Sequence, residues 1–323
     1  MKRYNILATA VGAVVGYGII EALRLSGYRV HIIGCDIFSD AAGRFFADDF
    51  VVAKPAASEQ YCDFLKNLID EKHIDMVFFG IEQEINAVSG NRKAFDNCLN
   101  KLVIQPGDII DLCNDKWLTH CWLSEKGLSE YAIESAVEGE FADLRSAFGP
   151  SFIIKPRQSR GGKGIVTVEG EADFEYYRQR LGDDFMAQRV VGDADHEYTV
   201  GVFGLGDGQY SGEIYLRRTL SQEGATAKAW VVEDGALQTA ARRITEALRP
   251  IGPTNYQFRK ENDSVFLLEV NPRISSSVSI RSKMGYNEVA MSIQYFLEGV
   301  TPAPAAIKRG HAVRYISDWV IEA

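Results

Sequence analysis

The run Val265-Phe-Leu-Leu-Glu-Val-Asn-Pro-Arg273 holds Glu269 and Asn271 two residues apart. On an extended strand that spacing puts a carboxylate and an amide oxygen on one face. Two hard oxygen donors side by side suit a divalent cation, magnesium or manganese. Pro272 ends the strand and opens the backbone into a loop. Arg273 follows at once and can grip phosphate oxygens with two parallel N–H donors. Phe266, Leu268 and Val270 point the other way and are expected to be buried. The same pattern also fits an amphipathic strand whose polar end is merely solvated, so partners elsewhere in the chain decide between the two.

A second strand-like run, Thr254-Asn-Tyr-Gln-Phe-Arg259, lies upstream, and Glu261-Asn-Asp-Ser264 between them is turn chemistry. Opposed residues of a hairpin share a face, so loop length sets what stands opposite Glu269. A three-residue loop, Asn262 to Ser264, brings Gln257 there; a four-residue loop puts Gln257 opposite Leu268 instead. The odd length is the expectation, since it adds a third oxygen to the same face.

Cations gather at a second place. Ser151-Phe-Ile-Ile-Lys-Pro156 reads as a strand ending in Lys155, and Ile165 to Val168 as another, joined by Arg157-Gln-Ser-Arg-Gly-Gly-Lys-Gly164. The adjacent Gly161 and Gly162 let backbone amides approach a phosphate. Arg157, Arg160 and Lys163 add positive charge to an acidic chain. A simple hairpin needs neither feature, whereas a mobile flap over phosphates uses both. No Gly-Lys-Ser/Thr opens a helix here, so this is no Walker loop. Lys116 opens the next helix upstream, capped by Asn114 or Asp115. A helix N-terminus favours acids, so a cation there hints at an anionic partner.

Further polar residues sit on strands of the last third. Glu197, on the strand His196 to Phe203, shares a face with Thr199 and Gly201, and its carboxylate suits a ribose diol. Arg217 and Arg218 lie on the strand Ser211 to Leu220, one to each face, and an arginine there can hold a substrate carboxylate. The serine-rich run Ile274 to Ser279 offers hydroxyls to an anion. Glu82 and Glu84 follow the strand Met76 to Phe79, at the end where parallel sheets place ligands, although a solvated loop explains either one alone.

The elements that must position these groups follow from periodicity. Asn5 to Ala10, Tyr28 to Gly34, Phe50 to Ala53, Met76 to Phe79 and Leu102 to Ile104 read as strands. Tyr17 to Leu25 and Ser58 to Lys72 read as helices, an alternation that implies a parallel sheet. Gly12, Gly16 and Gly18 make GxxxGxG, which is not the dinucleotide fingerprint, though Asp36 stands at a tempting distance. Ile6 to Ile20 superficially resembles a signal peptide behind Lys2 and Arg3, but glycines break it and Glu21 and Arg24 follow in helical register. The 323 residues call for two or three domains, and 46% hydrophobic with 24% charged residues is ordinary globular composition. A net charge of -9 argues against a nucleic-acid partner. Five cysteines without a CxxC pair, and five histidines without HExxH, indicate neither zinc nor disulfides. No span suits a membrane, and a cytoplasmic location is expected.

Taken in order, these pieces resemble the ATP-grasp superfamily, and within it the ATP-binding lobes of the carbamoyl phosphate synthetase large subunit and related carboxylate–amine ligases. The resemblance rests on Asn255-Tyr-Gln-Phe followed by Leu268-Glu-Val-Asn-Pro-Arg-Ile-Ser275, and on Ile153-Ile-Lys-Pro followed by Gly161-Gly-Lys-Gly164; Ser282-Lys-Met-Gly-Tyr286 matches more loosely. The chain is too short for a complete carbamoyl phosphate synthetase. The fold implied is α/β, with α+β character in the ATP-binding part. A Rossmann-like domain (1–106) precedes a small lobe with the glycine flap (107–185) and a large lobe with the metal site (186–323).

The resemblance also implies roles. Lys116 and Lys155 contact nucleotide phosphates, with Gly161, Gly162 and Lys163 on the flap above. The backbone from Gln188 through Val190 and Val191 is the hinge that reads adenine. Glu197 takes the ribose, with Asp195 as its rival. Gln257, Glu269 and Asn271 hold magnesium or manganese, and Arg273 the transferred phosphate; Arg217 joins Arg273 and Lys155 as a catalytic candidate. Many relatives carry an acid where Gln257 stands, which puts a second metal in question. The reaction expected is ATP-dependent activation of a small-molecule carboxylate and its coupling to an amine, by a chain that relatives suggest is a homodimer. The rivals are a nicotinamide-dependent oxidoreductase on the first domain and a non-catalytic nucleotide-binding protein.

Overall fold

The computed structural model describes residues 2–159, 162, 164–222 and 224–320. The chain opens with β1 (Arg3–Ala8), α1 (Val14–Arg24), β2 (Arg29–Asp36), β3 (Asp49–Val52), α2 (Tyr61–Glu71), β4 (Met76–Phe78) and α3 (Glu82–Gly90). The strands form a parallel sheet in the order β3-β2-β1-β4. Ile6, Leu7, Ile32, Ile33, Val77 and Phe78 are all buried, as strands covered on both faces require. The signal-like apolar run is therefore β1 and α1 of this sheet. Leu102–Ile104 does not add the expected strand; Leu102 makes one isolated bridge to Val77. The glycine spacing has a packing reason. A Cβ on Gly16 would fall 2.2 Å from the Ala10 carbonyl oxygen, and one on Gly18 2.6 Å from Val278.

Next come α4 (Gly107–Asn114) and α5 (Lys116–Glu125). Asp115 caps α5, accepting the N–H groups of Trp117 at 2.8 Å and Leu118 at 3.2 Å. Ile109 and Leu123 anchor the two helices in the core of the largest sheet. A second sheet then forms from β5 (Ser135–Ala136), β6 (Phe152–Pro156), β7 (Val166–Val168) and β8 (Phe185–Arg189), in the order β5-β8-β6-β7. It packs on α6 (Phe141–Phe148) and α7 (Glu171–Leu181) through Phe141, Phe152, Phe174 and Phe185.

The third sheet is antiparallel and six-stranded: β9 (Glu197–Leu205), β10 (Tyr210–Leu220), β11 (Thr226–Val231), β12 (Ile251–Glu261), β13 (Ser264–Asn271) and β14 (His311–Val313), ordered β13-β12-β9-β10-β11-β14. One face buries Tyr198, Val200, Tyr256 and Phe258 beneath α8 (Gly235–Leu248), whose Leu237, Ala241, Ile244 and Leu248 recur at helical spacing. The other face is divided. Phe203, Ile214 and Leu216 pack near α9 (Val278–Lys283) and α10 (Glu288–Ser292), while Thr199, Arg218, Asn255, Gln257 and Asn271 form a polar floor. α1 lies against α9, so the first sheet is locked onto the third through Ile19, Ile20, Val278 and Val289.

The β12–β13 hairpin corrects the expectation about its loop. Glu261 pairs with Ser264, so the loop is Asn262 and Asp263 alone, with Asn262 in the left-handed region at φ 54°. Yet Gln257 does pair with Glu269, because the register shifts by one residue beyond Phe258–Leu267, leaving Leu268 as a bulge. Two loop residues plus one bulged residue do the work of three. Val270 is buried as expected, but the bulge overturns the rest of the expected burial: Val265 and Leu267 enter the core, and Phe266 and Leu268 stay half-exposed.

Candidate active site

A cleft of about 150 Å³ opens on the polar floor, lined by Glu82, Lys116, Arg218, Gln257, Glu269 and Arg273 among others. A smaller cavity adjoins it, lined by Lys155, Gln188 and His120, and Lys116 and Glu269 line both. Residues from the second and third sheets, from α5, and from α1 and α3 beside the first sheet thus converge on the hairpin.

The lysines have unusual surroundings. Lys155 is buried on β6, and its Nζ donates to Gln188 Oε1 at 2.7 Å. Burial, then the charge of Lys116, pushes its pKa down to about 7, while Glu269 works in the opposite direction. Lys116 Nζ donates to the carbonyl oxygens of Arg157 (3.3 Å) and Ser159 (2.9 Å) and to Ser159 Oγ (3.1 Å). Burial lowers its pKa too, against Glu269 and Glu82. Among the described residues both ammonium groups are hydrogen-bonded to neutral oxygens, which leaves each short of a counter-anion.

The hairpin side is a chain of hydrogen bonds. Asn271 Nδ2 donates to Glu269 Oε1 at 2.9 Å, and Arg273 donates to Asn271 Oδ1 (2.8 Å) and Glu82 Oε2 (3.0 Å). On the neighbouring strands Arg218 donates to Gln257 Oε1 at 2.6 Å and to Glu197 Oε1 at 2.8 Å. Gln257, Glu269 and Asn271 present oxygen donors alone, which fits a hard cation. Only one of the three is charged, and arginines already donate to both amide oxygens. Among the described residues no three His, Cys, Asp or Glu side chains gather as a metal site. The donor set therefore fits one magnesium ion completed by phosphate oxygens better than two.

Several expected site residues are placed differently. Arg217 is corrected: it stacks on Trp230, 4.9 Å from the ring centroid, on the face turned away from the cleft. Strand alternation gives the cleft to its neighbour Arg218. Gln188 is flanked by β5 and β6, so its backbone lies in the ladder, and its side chain accepts from Lys155. Val190 and Val191 lie beyond the end of β8, the first half-exposed and the second buried. Glu197 has both oxygens engaged, one by Arg218 and the other by Arg259 at 2.8 Å. Its rival Asp195 is exposed. Arg157 serves the scaffold, binding Asp115 at 2.6 Å. Gly162 is exposed in a turn with φ 71°, while Gly161, Lys163 and Arg160 lie outside the described residues.

Sequence reasoning missed the buried network behind the floor. Arg281 NH2 donates to Thr199 Oγ1 at 2.9 Å and to Asn255 Oδ1, and NH1 reaches Glu288 at 3.3 Å. Only the placement of an arginine in an otherwise serine-rich apolar helix hinted at it. His120, beside Lys155, was missed as well; burial lowers its pKa.

Comparison with known proteins bears on the family and the fold. The model of a family described as ATP-grasp in the biosynthetic pathway with Ter operon matches residues 193–319. The arginine-specific large chain of carbamoyl phosphate synthase from Bacillus subtilis is 26% identical over 243 residues, 69% of this chain. The chain spans 22% of that relative's length. Biotin carboxylase from Campylobacter jejuni superimposes with a TM-score of 0.73 at 18% identity, over 95% of this chain and 74% of that one. L-amino acid ligase from Bacillus licheniformis does so with a TM-score of 0.67 at 18% identity, over 92% and 74%. At these identities the structural likeness speaks for the fold.

Proposed function

We propose that this chain is a member of the ATP-grasp superfamily and a ligase that activates a small-molecule carboxylate with ATP and joins it to an amine. The observation that carries the reading is the convergence of the half-buried Lys116 and the buried Lys155, both donating to neutral oxygens, upon the Glu269 hairpin. A triphosphate supplies the missing negative charge.

In this reading Lys155 and Lys116 hold the phosphates, and the loop around Gly162 covers them. Val190 and Val191, where the chain leaves β8, stand against adenine, and Asp195 is better placed than the arginine-bound Glu197 to meet the ribose. Glu269 would hold magnesium, assisted by the amide oxygens of Gln257 and Asn271; when bound, that ion neutralises charge on the transferring phosphoryl group. Arg273 and Arg218 line the cleft beyond the hairpin and orient the substrate carboxylate. The carboxylate attacks the γ-phosphorus in line, ADP leaves, and the acyl phosphate forms. The amine nitrogen then attacks the acyl carbon; phosphate departs with the C–O electron pair and the nitrogen gives its proton to solvent. Flap closure keeps water from the acyl phosphate. The division proposed is 1–106, 107–185 and 186–323, with α4 and α5 in the middle part, although β8 (Phe185–Arg189) of the second sheet runs across the last boundary.

The oxidoreductase alternative meets a specific obstacle. Asp36, which would bind a nicotinamide ribose, accepts the N–H groups of Gly12 at 2.8 Å and Phe38 at 3.0 Å. The test is a titration with a non-hydrolysable ATP analogue, then ADP release across a panel of acids and amines. ADP release that needs both an acid and an amine is expected; NADH binding without ATP binding would refute the ligase.

A further inference from the structure

The first sheet carries a cavity that the steps above do not use. It lies at the carboxyl ends of its strands, where parallel sheets receive ligands, and measures about 860 Å³. Ala13, Ile37, Phe38, Ala42, Pro55 and Ala56 give it apolar walls. Ile37 and Phe38 are 47% and 64% exposed at its rim. Its frame is fixed from within: Asp36 holds Gly12 and Phe38, and Glu84, buried, accepts the Thr9 hydroxyl.

Its charge is opposite to that of the cleft. Asp36 and Asp40 stand against Lys54 alone, with Glu84 buried and its pKa pushed up to about 7 by burial, whereas the cleft sets Lys116, Arg218 and Arg273 against Glu82 and Glu269. Opposed potentials sort ligands by charge, so phosphates and a carboxylate belong in the cleft and a group that carries no negative charge belongs in the cavity. The two spaces share a wall. Val15, Glu82 and Asn114 face the cleft; Ala13, Gln83 and Asn86 face the cavity; and Asn114 Nδ2 donates to Asn86 Oδ1 at 3.1 Å between them.

We propose that this cavity receives the amine substrate, and that the amine is carried on an aliphatic or aromatic body. The body fills the apolar walls and the nitrogen stands at the shared wall, one residue along α3 from the cleft. This assignment rests on the ligase reading and adds the class of the second substrate to it.

Methylamine, butylamine and benzylamine serve as probes, with phenylacetate as the control of like body and opposite charge. Calorimetric titrations are made with a non-hydrolysable ATP analogue present. Affinity is expected to rise from methylamine to benzylamine, and phenylacetate to leave the cavity unfilled. Ala56→Phe, which fills the cavity, and Phe38→Ser, which strips an exposed wall, should each weaken benzylamine at least tenfold and leave the affinity for the ATP analogue unchanged. Benzylamine that fails to bind, or binds equally to both variants, overturns the proposal. ADP release with the same amines is read in parallel. Turnover that is indifferent to Ala56→Phe removes the cavity from the reaction while the ligase stands. Benzylamine binding lost in both variants, with no acid supporting ADP release, keeps the amine site and sinks the ligase.

Discussion

Lys155 Nζ stands 2.7 Å from Gln188 Oε1, and both side chains are buried. A cation so placed is held near neutrality until an anion arrives, with its pKa down at about 7. A triphosphate should raise that value again. Binding of an ATP analogue at pH 8 is therefore expected to take up close to one proton. Calorimetry in two buffers of different ionisation enthalpy measures this, and identical heats in both would disprove it.

The same depression sets a pH dependence of stability. Between about 7 and the ordinary 10.5 the unfolded chain binds the extra proton. The destabilisation from Lys155 is therefore complete below about pH 7 and fades as pH rises toward 10.5. Lys155→Met should gain most over the natural chain at pH 6 and least at pH 10 in urea unfolding, while its affinity for ATP falls at least tenfold. A stability gain that grows with pH contradicts this account.

Arg217 and Arg218 are neighbours in sequence with opposite surroundings. Arg218→Ala leaves the buried Glu197 with Arg259 alone and is expected to cost about 3–5 kcal/mol, the range for removing one partner of a buried pair. It should also abolish turnover. Arg217→Ala removes a stacking contact on Trp230 and should cost about 0.5–1 kcal/mol, with activity retained. Equal effects of the two substitutions, by thermal unfolding and ADP release, would count against the face assignment.

The metal site is expected to hinge on one carboxylate. Glu269→Gln should remove metal-dependent ATP turnover by at least a hundredfold and barely move the melting temperature. Gln257→Glu places a second acid opposite it in the hairpin register. That variant should bind Mn2+ more tightly, by at least threefold in an electron paramagnetic resonance titration. Unchanged Mn2+ affinity in both variants would place the cation elsewhere.

Arg281 and Glu288 are fully buried, and a Cβ on Gly201 would stand 2.7 Å from the Arg281 guanidinium. Gly201→Ala should therefore displace the arginine and, with it, Thr199 and Asn255 of the polar floor. Glu288→Gln is expected to destabilise by about 3–5 kcal/mol, and Arg281→Met/Glu288→Leu to recover much of the loss. A double variant no better than the single one rejects a charge-pair origin.

The hairpin shows how far local reasoning reached. Gln257 was expected to face Glu269, and it does, though through a two-residue turn and a bulge at Leu268 in place of a three-residue loop. Parity is visible in a sequence; the split between turn and bulge depends on which side chains the core accepts. Val265, Leu267 and Val270 fit beneath α8, and the strand shifts to admit all three. Glu197 illustrates the opposite limit. Its position on the polar face was legible, but the two arginines that occupy it come from residues 21 and 62 positions away.

By itself, the order of residues determined most of the strands and helices, the oxygen-rich face of the hairpin and the candidate lysines opposite it. Those features follow from alternation, helical spacing and turn chemistry, which act over a few neighbours. Only the tertiary structure decided which arginine enters the cleft, which carboxylates remain open and how the first sheet borders the site. Those choices are set by contacts between distant segments, where burial and unmatched charge are measured against the whole core.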